Sequence, residues 1–294
     1  MYSQFKVDSW ETARKIGTSI VKGTNWVFRG QTDMNWGLST NMERRAKIYA
    51  CSPDYFKDRE NFILFQFQRH AFQYISSPPD KGELLDWLAL LQHHGGPTRL
   101  LDFTYSFYVA AFFALENSNS DSAIWAINIE KIEEMMDEIT NSEYDTDELD
   151  DPKVKNLVIA TDVLKGNQQY KMVINVEPKQ LHERLVTQQG LFLFPCDISC
   201  SFLENLKNTF SPDDLPSNSI ERSMSIGDSI EWDQIFESPV IKIIIPRQSH
   251  KAGLSDLKDM NITSSTLFPG LDGYARSLFY YLRAFESDIE IGSI

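Results

Sequence analysis

The chain has 294 residues, 42% of them hydrophobic and 24% charged, so it can bury a substantial core as one large domain or two small ones. A net charge of −14 argues against an extended nucleic-acid surface, because the summed field repels phosphates at long range, although it leaves room for a local basic pocket. No uninterrupted apolar run approaches the roughly 18 residues of a membrane helix.

In chain order, the opening MYSQFKVDSWETARK has neither the basic start nor the apolar block of a signal peptide, which points to the cytoplasm. Residues 8–22 have helical spacing, with Asp8 or Ser9 as the cap and Gly23 closing the helix. Residues 25–29 predict a short strand that ends on Arg29 beside Gly30. An arginine there either snorkels to water or meets an anion, since the glycine would let backbone and ligand come close. Residues 31–40 form a polar loop containing Trp36, a candidate wall of a cleft, and Gln31 is its first polar side chain. A long helix is expected over 54–74, burying Phe62, Ile63, Phe65 and Phe72. The stretch SSPPDKG, 76–82, is a rigid connector.

The most specialised stretch is LLQHHGGPTRLLDFTYSFYVAAFFAL, 90–115. Leu84, Leu85, Leu88 and Leu91 recur at helical spacing up to Gly95, which puts His93 and His94 in the last turn. There they face the negative end of the helix dipole, which favours the protonated imidazole. They serve either as a cap and a surface side chain or as a functional pair. Gly95, Gly96 and Pro97 force a sharp turn before Thr98, one that can bring the histidines back beside Arg99 and Asp102. Arg99 and Asp102, three apart, form either a structural ion pair or part of a site. Asp102 or Thr104 is the expected cap of a buried helix that carries Tyr105, Tyr108, Phe112 and Leu115 on one stripe. Its second stripe, Ala110, Ala111 and Ala114, is small enough to let a strand approach closely.

Beyond it, a strand is expected at 123–129 and a helix at 130–139. An acidic loop at 142–151 follows, with acids that alternate but without the glycine and terminal glutamate of a calcium loop. A helix at 152–164 and a strand at 172–176 come next. ERLVTQQGLFLFP, 183–195, alternates as two strand segments meeting at Gly190, with Gln188 or Gln189 projecting beside the glycine. A short helix is expected over 201–209, a loop over 211–229, an apolar strand over 240–245, a helix over 250–260, and a last helix from about Gly270 that packs Leu278, Tyr281 and Leu282 on the body. Cys51, Cys196 and Cys200 make an odd set with no disulfide framework and no second ligand pair for zinc, consistent with a reducing compartment. With no internal repeat and no linker, the expected fold is one α+β domain spanning 1–294, a central mixed or antiparallel sheet flanked by helices.

Several of these stretches resemble the FRG family, named for an aromatic-Arg-Gly motif and found mainly in bacteria and their mobile elements. The matching stretches are Phe28-Arg29-Gly30-Gln31; Gln92-His93-His94-Gly95 with Pro97 to Thr104; Ala110 to Ala114; Arg184 with Gln188-Gln189-Gly190 and Phe192; the strand ending at Pro246; and Leu267 to Gly273. They span about residues 24–275, with the acidic loop as an insertion. The resemblance implies a role in phage defence or a toxin-type effector.

More loosely, an arginine at the end of a first strand, a turn, and an Ala-x-x-Phe-Ala helix are similar to the ADP-ribosyltransferase fold. That likeness implies NAD as substrate or ligand, held in one cleft. Arg29 would hold the pyrophosphate or ribose, His93 or His94 a sugar hydroxyl or phosphate, and Tyr105 or Tyr108 the nicotinamide ring. Gln188 or Gln189 would stand where that fold has a glutamate, and an amide cannot carry the charge that stabilises an oxocarbenium ion.

Three functions follow as expectations. The first is a nucleotide-processing or ADP-ribosyl-transferring enzyme with Arg29, His93, His94 and Gln189 as its catalytic set and Gln31, Thr98, Arg99, Asp102, Thr104, Tyr105, Tyr108 and Gln188 as ligand contacts. The second is a sensor of a nucleotide or phage product that works through a protein partner. The third is a metal-free RNase using the two histidines as acid and base.

Overall fold

The structure is a computed structural model that describes residues 2–23, 25–140, 151–210, 215–216, 219–228 and 235–279. The elements are β1 (Ser3–Val7), α1 (Trp10–Val21), β2 (Trp26–Gln31), α2 (Asn41–Ile48), α3 (Phe56–Ala71), α4 (Leu84–His93), β3 (Leu101–Thr104), α5 (Phe107–Leu115), β4 (Ser122–Asn128), α6 (Ile129–Ile139), α7 (Pro152–Lys165), β5 (Val173–Val176), α8 (Glu183–Thr187), β6 (Gly190–Pro195), α9 (Phe202–Thr209), β7 (Ile220–Met224) and β8 (Val240–Ile245). Helices at His250–Asp259, Ser264–Leu267 and Leu271–Ser277 complete the described chain.

One mixed sheet of eight strands, in the order β5-β6-β3-β2-β4-β8-β1-β7, runs through the molecule. Only β1 runs parallel to its neighbours, β8 and β7. The central strands are mostly apolar because helices cover both faces, with Arg29 and Gln31 of β2, Asp102 and Thr104 of β3 and Lys242 of β8 among their polar positions. Along β4, Ile124 and Ala126 pack with α1 and α5, whereas Trp125 and Ile127 pack on the opposite layer with Ile132 of α6 and Phe202 of α9. This is the period-two alternation of a strand buried on both sides. A third cluster joins α3, α4 and α7 to Phe192 and Phe194 of β6. Among the described residues, no helix is long and apolar enough to cross a membrane.

The α+β expectation holds: a central sheet is flanked by helices. Several details differ. The helix over 56–71 buries Phe56, Glu60, Leu64 and Ala71, whereas Phe62, Phe65 and Phe72 are exposed. The buried glutamate shows why. Packing selected the stripe that carries a charge able to reach an arginine across the interface, and hydrophobicity alone pointed to a different stripe. Asp102 and Thr104 lie in β3 and do not cap a helix; Ser106 caps α5, accepting from the Val109 amide at 3.3 Å, so Tyr105 is outside it. Residues 183–187 form a helical turn before β6, where two strand segments were expected. β1 and β7 were not expected. β7 is a short edge strand with an intermediate-exposed alternation, and it exists because β1 is there to pair with it. The acidic loop at 142–150, together with Tyr281 and Leu282, lies outside the described residues, and Leu278 is 43% exposed.

The small stripe of α5 does what its composition implied. A Cβ placed on Gly30 would lie 2.0 Å from the Ala110 carbonyl oxygen and 2.6 Å from the Ala114 nitrogen. The glycine in the aromatic-Arg-Gly motif therefore serves helix-on-sheet packing; its open side is taken by α5 and not by a ligand. Because both obstacles are backbone, Gly30→Ala must push α5 off β2. We expect it to lower unfolding stability by about 1–3 kcal/mol. Chemical denaturation of the variant checks this, and a midpoint equal to wild type would contradict the packing role.

Candidate functional site

The ladder between β2 and β3 consists of one residue pair, Phe28 opposite Thr104, whereas β2 pairs with β4 over six positions. Beside that short ladder lies a cavity of about 520 Å3, lined by residues 28–32 of β2 and its exit, Asp102 to Thr104 of β3, and side chains from 36–44, α5 and α8. Its volume falls within the range of small-molecule sites.

Three guanidinium groups line it: Arg29 from β2, Arg44 from α2 and Arg184 from α8. Arg29 Nη1 donates to the Asp102 carbonyl oxygen at 2.7 Å and stands 3.7 Å from Asp102 Oδ2. Its side chain is 19% exposed, and its Nε is buried without a hydrogen-bond partner. Burial pulls the pKa of all three arginines down, opposed in each case by the charge of Asp102. Arginine nonetheless stays protonated, so for the half-buried Arg29 and Arg184 that pull marks cations partly withdrawn from solvent, whereas Arg44 is exposed. The charge of Arg44 lowers Arg29 further. A concentration of positive charge has thus been built inside a strongly acidic protein, with one carboxylate, Asp102, facing all three cations.

The polar scaffold of the cleft is fixed by hydrogen bonds. Gln31 is buried; its Oε1 accepts from Trp125 Nε1 at 2.8 Å and its Nε2 donates to the Gly37 carbonyl at 3.1 Å, which holds the 32–37 loop in place. Trp36, at 55% exposure, stands on that loop at the rim. Thr104 Oγ1 donates to the Gln188 carbonyl at 2.7 Å, and Gln188 Nε2 donates to the Leu267 carbonyl at 2.9 Å. Arg184 stacks on Phe268 with its guanidinium carbon 4.7 Å from the ring centre. The Leu267-Phe268 turn therefore braces the Arg184 and Gln188 wall.

Of the residues expected in the site, Arg29, Gln31, Asp102, Thr104 and Gln188 line this cleft. The others go elsewhere. Arg99 pairs with Glu60 of α3, both 3% exposed, and not with Asp102, and it does not line this cleft. Thr98 is fully buried and donates to Gln92 Oε1 at 2.6 Å. Tyr105 donates its hydroxyl to Glu177 Oε1 at 2.8 Å, and burial drives its pKa upward. Tyr108 packs at the edge of the α1–α5 core against Phe107. Gln189 is exposed and adopts φ 48°, and its carbonyl accepts from the Tyr105 amide at 2.9 Å, so its contribution is a left-handed turn into β6.

The turn after α4 brings Gln92, and not the histidines, to Asp102. His93 and His94 are exposed and gather instead with His182, each neighbouring ring pair 5.0 Å apart. Among the described residues, no group of three or more His, Cys, Asp or Glu is placed to hold a metal ion. The expected protonation of His93 is reversed: burial first, then the charges of His182, His94 and Arg184, lower its pKa. Burial and His94 lower that of His182, with Asp86 opposing. A histidine depressed in the folded state costs no stability above its unfolded pKa near 6.5, and costs stability as pH falls through that value toward the folded pKa. Thermal melts from pH 8 to pH 5 should therefore fall more steeply for wild type than for His93→Asn/His182→Asn. Equal slopes would show the cluster to be uncoupled from folding.

Arg44 and Arg184 were not among the expected site residues. Arg44 sits in a charged helix with no local signal. Arg184 carried one, since it precedes the Gln188-Gln189-Gly190 turn at a spacing of one helical turn.

In comparison with known families, residues 24–123 match the family described as the FRG domain. The matched stretch runs from the start of β2 into β4 and holds Arg29, Arg44 and Asp102, whereas Arg184 and Gln188 lie beyond it. No curated protein and no solved structure is significantly similar to the chain.

Proposed function

From the FRG domain that the chain carries at 24–123, we propose that the cleft binds a phosphorylated nucleotide such as NAD, within a phage-defence or toxin-type effector that works on that nucleotide or responds to it. The observation that supports this most is the convergence of Arg29, Arg44 and Arg184 on one cavity of a protein whose net charge is −14. Clustered, partly desolvated guanidiniums are stabilised by a multiply charged phosphate, which takes bidentate hydrogen bonds from their planar forks. Trp36 at the rim offers a face for a base or nicotinamide ring.

Whether the nucleotide is processed, as the looser likeness to ADP-ribosyltransferases implies, or only sensed, turns on the late glutamine. Gln188 is an amide already donating to the Leu267 carbonyl, and it brings no charge to an oxocarbenium ion. This favours the sensor version, in which the bound protein acts through a partner.

Calorimetry of the full chain against NAD, ADP-ribose, AMP and inorganic pyrophosphate at low and high salt tests the reading. Binding that weakens with salt is expected; no heat from any of the four would reject it. Incubation with NAD labelled in the nicotinamide ring then separates the versions, since released nicotinamide identifies an enzyme and binding without release a sensor.

A further inference from the structure

An anion site needs donors. A carboxylate in its midst opposes the ligand, so Asp102 requires an account of its own. Its ion pair with Arg29 is loose: Oδ2 lies 3.7 Å from Arg29 Nη1, beyond hydrogen-bond reach. The group that holds the carboxylate is neutral. Gln92 Nε2 donates to Oδ2 at 2.9 Å, and Gln92 is itself oriented by Thr98, whose hydroxyl donates to Oε1 at 2.6 Å and so fixes which end of the amide faces Asp102. Thr98 is fully buried, so this relay is anchored in the core. The carboxylate it presents is 58% exposed, and among the described residues its Oδ1 carries no hydrogen bond. The cleft thus offers three cationic donors and, held rigidly among them, one open anionic acceptor.

Resting on the nucleotide reading above, we infer that Asp102 accepts hydrogen bonds from the vicinal hydroxyls of a ribose attached to the bound phosphate, and that Gln92 is its positioning residue. A vicinal hydroxyl pair on the sugar that carries the phosphate meets both halves of the site: the arginines take the charge, and the carboxylate takes the neutral donors. A bare phosphate or a pyrophosphate meets only the first half and leaves the carboxylate opposing it, and a 2-deoxy sugar keeps one hydroxyl of the pair and loses the other. The site therefore selects ribosyl phosphates over anions of equal charge.

The test uses the full chain and five probes: ADP, 2′-deoxy-ADP, ribose 5-phosphate, 2-deoxyribose 5-phosphate and inorganic pyrophosphate. In wild type, at least one ribo probe should bind about tenfold more tightly than its deoxy counterpart, the size of one hydrogen bond to a charged group. In Asp102→Asn the ratio should fall to about one while pyrophosphate binds as well as in wild type or better, because a repelling charge is gone. Gln92→Met should reduce the same ratio and leave pyrophosphate unchanged, which a merely structural role would not do; melting curves confirm that each variant is folded. Wild type that binds pyrophosphate but does not distinguish ribo from deoxy would overturn this inference and leave the anion site standing. Asp102→Asn that loses pyrophosphate as severely as the sugars would overturn it too, by making the carboxylate structural. Wild type that binds none of the five would remove the nucleotide reading and this one together.

Discussion

Arg99→Met is expected to destabilise the protein by about 3–5 kcal/mol, because it strands a buried carboxylate. Arg99 Nε donates to both Glu60 oxygens at 2.9 Å, and Nη2 pairs with Oε2 as well. Nη1 reaches the Pro195 and Cys196 carbonyls at 3.4 Å, and the guanidinium lies 5.0 Å from the Phe194 ring centre. This single side chain joins α3, the turn before β3 and the end of β6. The surroundings are sealed: burial pushes the Cys196 thiol up to about 12. With the arginine gone, Glu60 has no water and no cation to replace it. Replacing both partners, as Glu60→Met/Arg99→Met, removes the stranded charge and should recover most of the loss, since a hydrophobic pair of similar volume is often neutral or better. Urea unfolding of the two variants checks both statements. A single variant within 1 kcal/mol of wild type would mean that water reaches Glu60 and that the burial described here is incomplete.

Arg29→Ala is expected to weaken nucleotide binding about 30-fold to 1000-fold, the effect of truncating one side of a desolvated charge pair at about 2–4 kcal/mol. Of the three guanidiniums, Arg29 is the least exposed, and its bond to the Asp102 carbonyl establishes its order before a ligand arrives. Arg44 is exposed and should contribute less. Arg29→Lys should recover only part of the affinity, because an ammonium keeps the charge but lacks the planar fork. The melting temperature of each variant must be followed alongside, since the Asp102 carbonyl loses a donor in both. Affinity unchanged in Arg29→Ala would place the ligand outside this cleft.

The comparison of sequence with structure shows where local information ended. The apolar strand at 240–245, the helix cap at Ser9 and the small stripe of α5 are properties of neighbours in the chain, and each could be read before the fold was known. Arg29 was legible as a candidate because a charge in an apolar strand stands out, and it lines the cleft although β2 runs on past it to Gln31. The face that α3 would bury was not legible, because Glu60 is buried only by virtue of an arginine 39 residues away. Nor was the fate of the paired histidines, which depended on His182. Arg44 looked like any surface cation until the fold set it on the same cleft as β2.

By itself, then, the sequence determined the kinds and periods of the elements, the α+β class and the identity of one cation at the cleft, since these follow from short-range sterics and the burial of apolar side chains. Only the tertiary structure decided which charges meet. Ion pairs and clefts are made between residues that are distant along the chain, and β3, entering between β2 and β6 with one ladder pair to β2, is what brings Asp102 among three arginines drawn from three separate elements.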